Sequence, residues 1–242
     1  MQAQSNLGPS GELGLTVIRG GKSYPVGQQG AKVTKAPLTW KLRNIFRVGW
    51  RKHTLFGVDF QTPTPPFIKG WFAVHCVRPV ANFFGLATLH STLELKLFKA
   101  DGSVIDYGIV GYRVITDTGV AFFVDDWDND ATDITTLHFH GIGTGSTAEA
   151  AGDTALVTES TTALNPDSTR ATGVESQPAA NQLRTVGTLT ADAQIVAREH
   201  GIFSQSATGG GTLFDRTVFA TVTLESADSL QSTYTCTLSS GG

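Results

Sequence analysis

The sequence predicts a mainly β protein: an antiparallel β-sandwich with one short helix, preceded by an extended basic N-terminal arm. Three observations predict it. The 242 residues include 27 Gly and a single Met, and the second half is crowded with Thr, Ser, Ala and Val, a mixture that favours strands and turns. Beyond Pro66 short runs of alternating apolar residues are separated by polar turns, as two packed antiparallel sheets require. Before it, Gly8-Pro9, Gly20-Gly21, Pro25, Pro37, Pro63, Pro65 and Pro66 break the periodicity and leave room only for short strands or extended pieces. The expected division is therefore an arm over 1–66 and a sandwich over 67–242.

Within the second part, Trp71 to Arg78 reads as a strand. Leu93, Leu95 and Leu97 alternate with Glu94, Lys96 and Phe98, and the Asp101-Gly102 turn leads into Val104 to Val114, forming a hairpin. The single expected helix follows Thr118 as its cap, because Val120, Phe123, Val124 and Trp127 recur at helical spacing. Further strands are expected at 136–141, 182–191, 195–203, 212–224 and 230–238. Val218, Ala220, Val222 and Leu224 share one face, and Leu230, Ser232, Tyr234, Cys236 and Leu238 line up likewise, which puts Cys236 on the core side. The polar stretch Glu149 to Pro178 reads as a surface loop that carries contacts.

Charge divides along the chain. Residues 1–99 hold 13 Lys and Arg against three acids, a balance of +10; residues 100–242 hold five Arg against 18 acids, a balance of −13. In the basic half Lys32, Lys35, Lys41, Arg43, Arg47, Arg51 and Lys52 are interleaved with Trp40, Phe46 and Trp50, with no acid among them. This is the strongest local signal and reads as a binding surface. Nucleic acid would use the cations on phosphates and the aromatics on bases. A membrane would need an amphipathic helix, which the Pro37 break opposes. Arg and Trp are favoured anchors of protein interfaces, and the acidic half offers a complement, so docking to protein is preferred. The two cysteines, Cys76 and Cys236, read as free thiols, and no apolar run is long enough to span a bilayer.

Catalytic, cofactor and metal sites are not expected. Asp126, Asp128 and Asp130 begin like a calcium loop, but Ala131 and Leu137 stand where Gly and Glu belong. Gly141, Gly143 and Gly145 begin like a dinucleotide fingerprint and then fail at Ser146, and a turn leaving a strand accounts for them. His138, His140 and His200 could meet at a zinc ion, with hydrogen-bonded structural histidines as the default reading. No nucleophile elbow is found, and Cys76 and His75 point to opposite strand faces.

The series Asp106-Tyr107-Gly108, Val114-Ile115-Thr116-Asp117-Thr118-Gly119, Phe139-His140-Gly141-Ile142-Gly143, Asn165-Pro166-Asp167-Ser168-Thr169-Arg170, Glu199-His200-Gly201-Ile202-Phe203 and Leu213-Phe214-Asp215-Arg216 resembles a group of tailed-bacteriophage virion proteins over roughly residues 104–242. The resemblance implies a β-rich structural protein of the particle, and an enzyme is not expected. The expectation is a capsid decoration, or cement, protein on the phage head surface. Its partners would be the major capsid protein and sister copies, as a trimer before a dimer, with neither membrane nor nucleic acid. Lys32, Lys35, Trp40, Lys41, Arg43, Arg47, Trp50, Arg51 and Lys52 would form the contact set. A tail, baseplate or fibre-adaptor component and a carbohydrate-binding adhesin are the alternatives.

Overall fold

The computed structural model describes residues 2–7, 13–19, 22–26, 32–47, 49–55, 58–64, 66–129 and 133–240. The described residues are mainly β. Near the N-terminus β1 (Gln2–Leu7), β2 (Leu13–Arg19) and β3 (Lys22–Val26) form a small antiparallel sheet. Next come β4 (Val33–Lys35), helix α1 (Leu38–Ile45) and the antiparallel pair β5 (Gly49–Leu55) and β6 (Val58–Thr64). These are the short strands that the broken periodicity predicts.

Residues Pro66 to Phe83 are helical, which corrects the strand expected over Trp71 to Arg78. Helix α2 (Pro66–Phe72) passes through a π-helical turn (Ala73–Val77) into α3 (Arg78–Phe83). A continuous apolar run fits either period, and the prolines decide. Pro66 stands in the first helical turn, where a missing N–H leaves no bond unmade, and Pro79 follows directly on the π-helical turn, where the regular bonding is already interrupted.

The body follows as β7 (Thr88–Phe98), β8 (Val104–Tyr112), β9 (Val114–Ile115), α4 (Asp117–Asn129), β10 (Phe139–Gly143), β11 (Leu164–Asn165), β12 (Ala171–Thr172), β13 (Val174–Ala179), β14 (Gln182–Ala191), β15 (Ile195–Phe203), β16 (Leu213–Leu224) and β17 (Ser229–Ser239). One sheet runs β11-β14-β17-β7-β8-β4, with β13 also on β14, and the other runs β12-β10-β15-β16-β9. Every body pairing is antiparallel except β4 on β8. Strand β8 ends at Tyr112, and the chain continues through Arg113 into β9 of the opposite sheet, closing one corner.

The alternation read from the sequence places the core. Leu93, Leu95 and Leu97 of β7, Leu189 of β14 and Leu230 of β17 meet Ile142, Ile195, Phe219, Val222 and Leu224 of the facing sheet. Each such side chain contributes roughly 2 kcal/mol by leaving water. Gly102, at φ +85°, makes the expected β7–β8 turn in a conformation costly for other residues.

The sandwich also recruits residues from the N-terminal side of position 66. Val33 to Lys35 extend a sheet edge through Val104 to Asp106, and α1 lies against β16. The helix expected after Thr118 is present as α4, joined by α1, α2 and α3, and its cap lies two residues earlier. Thr116 Oγ1 accepts the Gly119 N–H at 3.0 Å.

Candidate functional site

Strand β16 does not keep one face throughout. Ala197 and Glu199 of β15 pair with Val222 and Val218, so a two-residue step on one strand meets a four-residue step on the other. The resulting bulge shifts the side-chain phase. Phe219, rather than Ala220, joins Val222 and Leu224 in the central core. It also turns backbone groups away from the ladder, and those groups need partners.

Helix α1 supplies them. Trp40 Nε1 donates to the Thr221 carbonyl at 2.7 Å, and Asn44 Oδ1 accepts the Ala220 N–H at 2.9 Å. Just beyond the helix, Arg47 Nη2 donates to the Val218 carbonyl at 2.5 Å. Asn44 Nδ2 reaches the other way, to the Val110 carbonyl of β8 at 2.7 Å, so one buried amide ties the two sheets together. Arg47 also faces buried Glu149 at 3.5 Å. Burial lowers the Arg47 pKa and raises that of Glu149, and their mutual attraction opposes both shifts. Positions 40, 44 and 47 form one helical stripe.

The expected contact set therefore divides. Trp40 and Arg47 are engaged within the chain, and Trp40 packs on Tyr107 with ring centroids 4.5 Å apart. Lys32 and Arg43 are exposed, Lys35 pairs with Asp106 at the surface, and Lys41 borders a cleft of about 210 Å³ beside Phe67 and Ile109. Trp50, Arg51 and Lys52 lie on β5, and their side chains fall outside the described residues.

The histidines assemble into a hydrogen-bonded chain. Arg113, a donor only, reaches His200 Nδ1 at 2.7 Å, which makes that nitrogen an acceptor. His200 Nε2 then carries the proton toward His140 Nδ1 at 3.0 Å, and His140 Nε2–H points to Thr185 Oγ1 at 3.1 Å. Burial, reinforced by the Arg113 charge, pushes His140 down to about 3 and His200 well below its ordinary value, so both rings are neutral. All four ring nitrogens are occupied. His138 is bonded separately to the Thr135 carbonyl at 2.6 Å. Among the described residues no His, Cys, Asp or Glu cluster is arranged to hold a metal ion.

Arg113 also pairs with buried Asp215, whose other oxygen accepts from Ser91 at 3.1 Å. Burial raises Asp215 to about 6, against the pull of Arg113, and leaves it ionised at neutral pH. A second buried cluster lies beside it. Arg216 donates through Nη2 and Nε to Glu199 at 2.7 and 2.9 Å and through Nη1 to Asp153 at 2.8 Å. The Glu199 carboxylate accepts the N–H groups of Gly145, Val157 and Thr158 at 3.0, 3.1 and 2.8 Å. Arg170 grips Glu159 in bidentate fashion, at 2.6 and 3.0 Å, over the ring of Phe203.

These clusters explain the Gly141, Gly143 and Gly145 series. A Cβ on Gly143 or Gly145 would lie 2.5 or 2.4 Å from Glu199 Oε1. The glycines let backbone approach an anion, but the anion is the chain's own carboxylate. The stretch from Glu149 to Pro178, read as a surface loop, is correspondingly pinned down, with Glu149, Leu156, Leu164 and Arg170 buried. The interior charges escape sequence reading because the partners of each pair come from segments far apart in the chain. The adjacent Asp215-Arg216 in an apolar strand is their one local signal.

Other apparent sites dissolve similarly. Asp126 accepts the Ile134 N–H at 3.1 Å and Asp133 caps the following 3-10 turn, while Asp130 lies outside the described residues. His75 stacks on Trp71 at 4.8 Å, and both cysteines are free. No helix among the described residues is long and apolar enough to cross a membrane.

The surface also carries exposed apolar residues. Trp71, Phe72, Val77, Val80, Phe83 and Phe84 of the α2–α3 segment are exposed, as are stripes on α1 and α4. Comparison with family models, curated proteins and solved structures finds no match to this chain.

Proposed function

We propose that the chain is a structural component of a tailed-phage particle, a decoration protein that holds the capsid shell through its N-terminal third. The resemblance over residues 104–242 suggests the particle. The observation that carries a docking role is the outward α2–α3 surface, where Phe83 is 82% exposed among five other large apolar side chains. Patches of that kind mark contact surfaces in proteins that do not aggregate. The basic residues that remain outward, Lys32, Lys35 and Arg43, would orient the approach to an acidic shell. The interior Arg, Asp, Glu and His clusters, closed to substrate by their burial, would hold a rigid body behind that surface.

Two measurements on particles test the proposal. Quantitative mass spectrometry is expected to find the protein at hundreds of copies per particle; tens of copies would instead indicate a tail component. Empty capsids are expected to bind the intact chain and to lose most binding to a Phe83→Ser/Phe84→Ser variant or after deletion of residues 1–31. Deletion through residue 66 is unsuitable, because it removes α1 from the sandwich. Full occupancy by both variants would overturn the docking role.

A further inference from the structure

We infer that helix α1 of one copy docks against helix α4 of a second copy, so that the protein forms a closed pair. The inference takes the outward face of the basic segment as a contact surface and requires no capsid. Helix α1 turns its polar stripe inward, where Trp40 and Asn44 hold β16, and leaves Leu38, Leu42 and Phe46 between 43% and 71% exposed. Helix α4 also leaves apolar residues outward, although it packs Phe122 inward on the core. Its inner side is set by Gly119, where a Cβ would meet the Phe214 carbonyl oxygen at 2.4 Å. Val120, Val124 and Trp127 face outward at 50% to 77% exposure. They belong with half-buried Phe123 to the set whose spacing predicts the helix, so part of its apolar surface is directed away from the core.

The two stripes are of similar length and have borders of opposite sign. No Asp or Glu occurs between Glu12 and Asp59, and Arg43 is exposed beside Leu42. No Lys or Arg occurs between Arg113 and Arg170, and Asp117, Asp125 and Asp128 are exposed along α4. Pairing α1 with α1, or α4 with α4, would set like charges together, whereas α1 on α4 satisfies both the apolar and the charged parts. Both helices lie against the same strand, α4 near Phe214 and α1 over Val218 to Thr221. In a pair with one two-fold axis, each α1–α4 contact is made twice, and both stripes are used up.

The test uses the purified full-length chain with no capsid present. Analytical ultracentrifugation is expected to show a concentration-dependent dimer. Lys41→Glu/Arg43→Glu and, separately, Asp125→Lys/Asp128→Lys are each expected to weaken it about tenfold, the effect of losing an interface anchor. The four changes combined are expected to restore it, a result that loss of folding cannot imitate. As an independent readout, Leu42→Cys and Val124→Cys chains carrying different tags are mixed and oxidised, and a cross-link between the two tags is expected. A wild-type monomer throughout the concentration range, or a dimer indifferent to both charge sets and lacking the mixed cross-link, would overturn the inference. Either result leaves capsid binding through α2–α3 to be judged on its own, and loss of capsid binding would not touch the dimer.

Discussion

At the scale of single residues, the interior is sensitive to acid. His140 and His200 are held neutral in the folded chain, with pKa values below 6.5, while in the unfolded chain they take up protons near 6.5. The unfolded state therefore binds more protons at mildly acid pH, and stability falls as pH drops below 6.5 toward the folded values. Asp215 acts in the opposite sense, since its raised value lets the native state gain a proton near pH 6, but one carboxyl offsets only one of the two rings. With its folded value near 3, His140 should remove roughly 2 kcal/mol between pH 7 and pH 5, and His200 acts in the same direction. Urea unfolding at the two pH values should show the midpoint falling in the wild type and falling less in His140→Gln. The glycines around Glu199 give a steric counterpart. Gly145→Ala should lower stability by about 1–3 kcal/mol, because its Cβ would enter the carboxylate. Gly152→Ala, with open space around it, should leave the thermal midpoint nearly unchanged.

Among the elements, α1 has the least expected design, since its two faces reverse the usual assignment of apolar inward and polar outward. Asn44→Ala should cost about 1–3 kcal/mol by orphaning the Val110 carbonyl and the Ala220 N–H, whereas Leu42→Ser should change stability little. Differential scanning calorimetry on both variants distinguishes the faces. The outward Leu38, Leu42 and Phe46 of α1 do have helical spacing, but over only eight residues behind Pro37, and the inward roles of Trp40, Asn44 and Arg47 depend on β16, which the sequence does not place beside them. Strands β14 and β17 could be read closely, because one face of each is buried and the two-residue alternation shows in their side chains. The bulge in β16 could not, since it depends on which residues of β15 lie opposite. The same limit hides the polar clusters. His140 and His200 stand out as histidines, but their join to Arg113 and Thr185 depends on four strands or strand ends meeting in space.

For the whole molecule, the division of charge that marks the sequence becomes two oppositely bordered helices on one strand. If docking to sister copies and shell both use it, raising salt from 0.05 to 0.5 M should weaken dimerisation and capsid binding without abolishing either, because the apolar stripes are not screened. Sedimentation and capsid pull-down across that salt series would show it, and complete salt insensitivity would separate charge from docking. The bulged strand has a last consequence. Beyond its short pairing with β9, β16 presents an open side whose carbonyls and N–H groups are occupied by Trp40, Asn44 and Arg47. Helix α1 is thus a guard against strand addition. A protease cut that freed residues 32–47 would turn a well-behaved body into a template for sheet polymers, with thioflavin fluorescence rising as the fragment leaves.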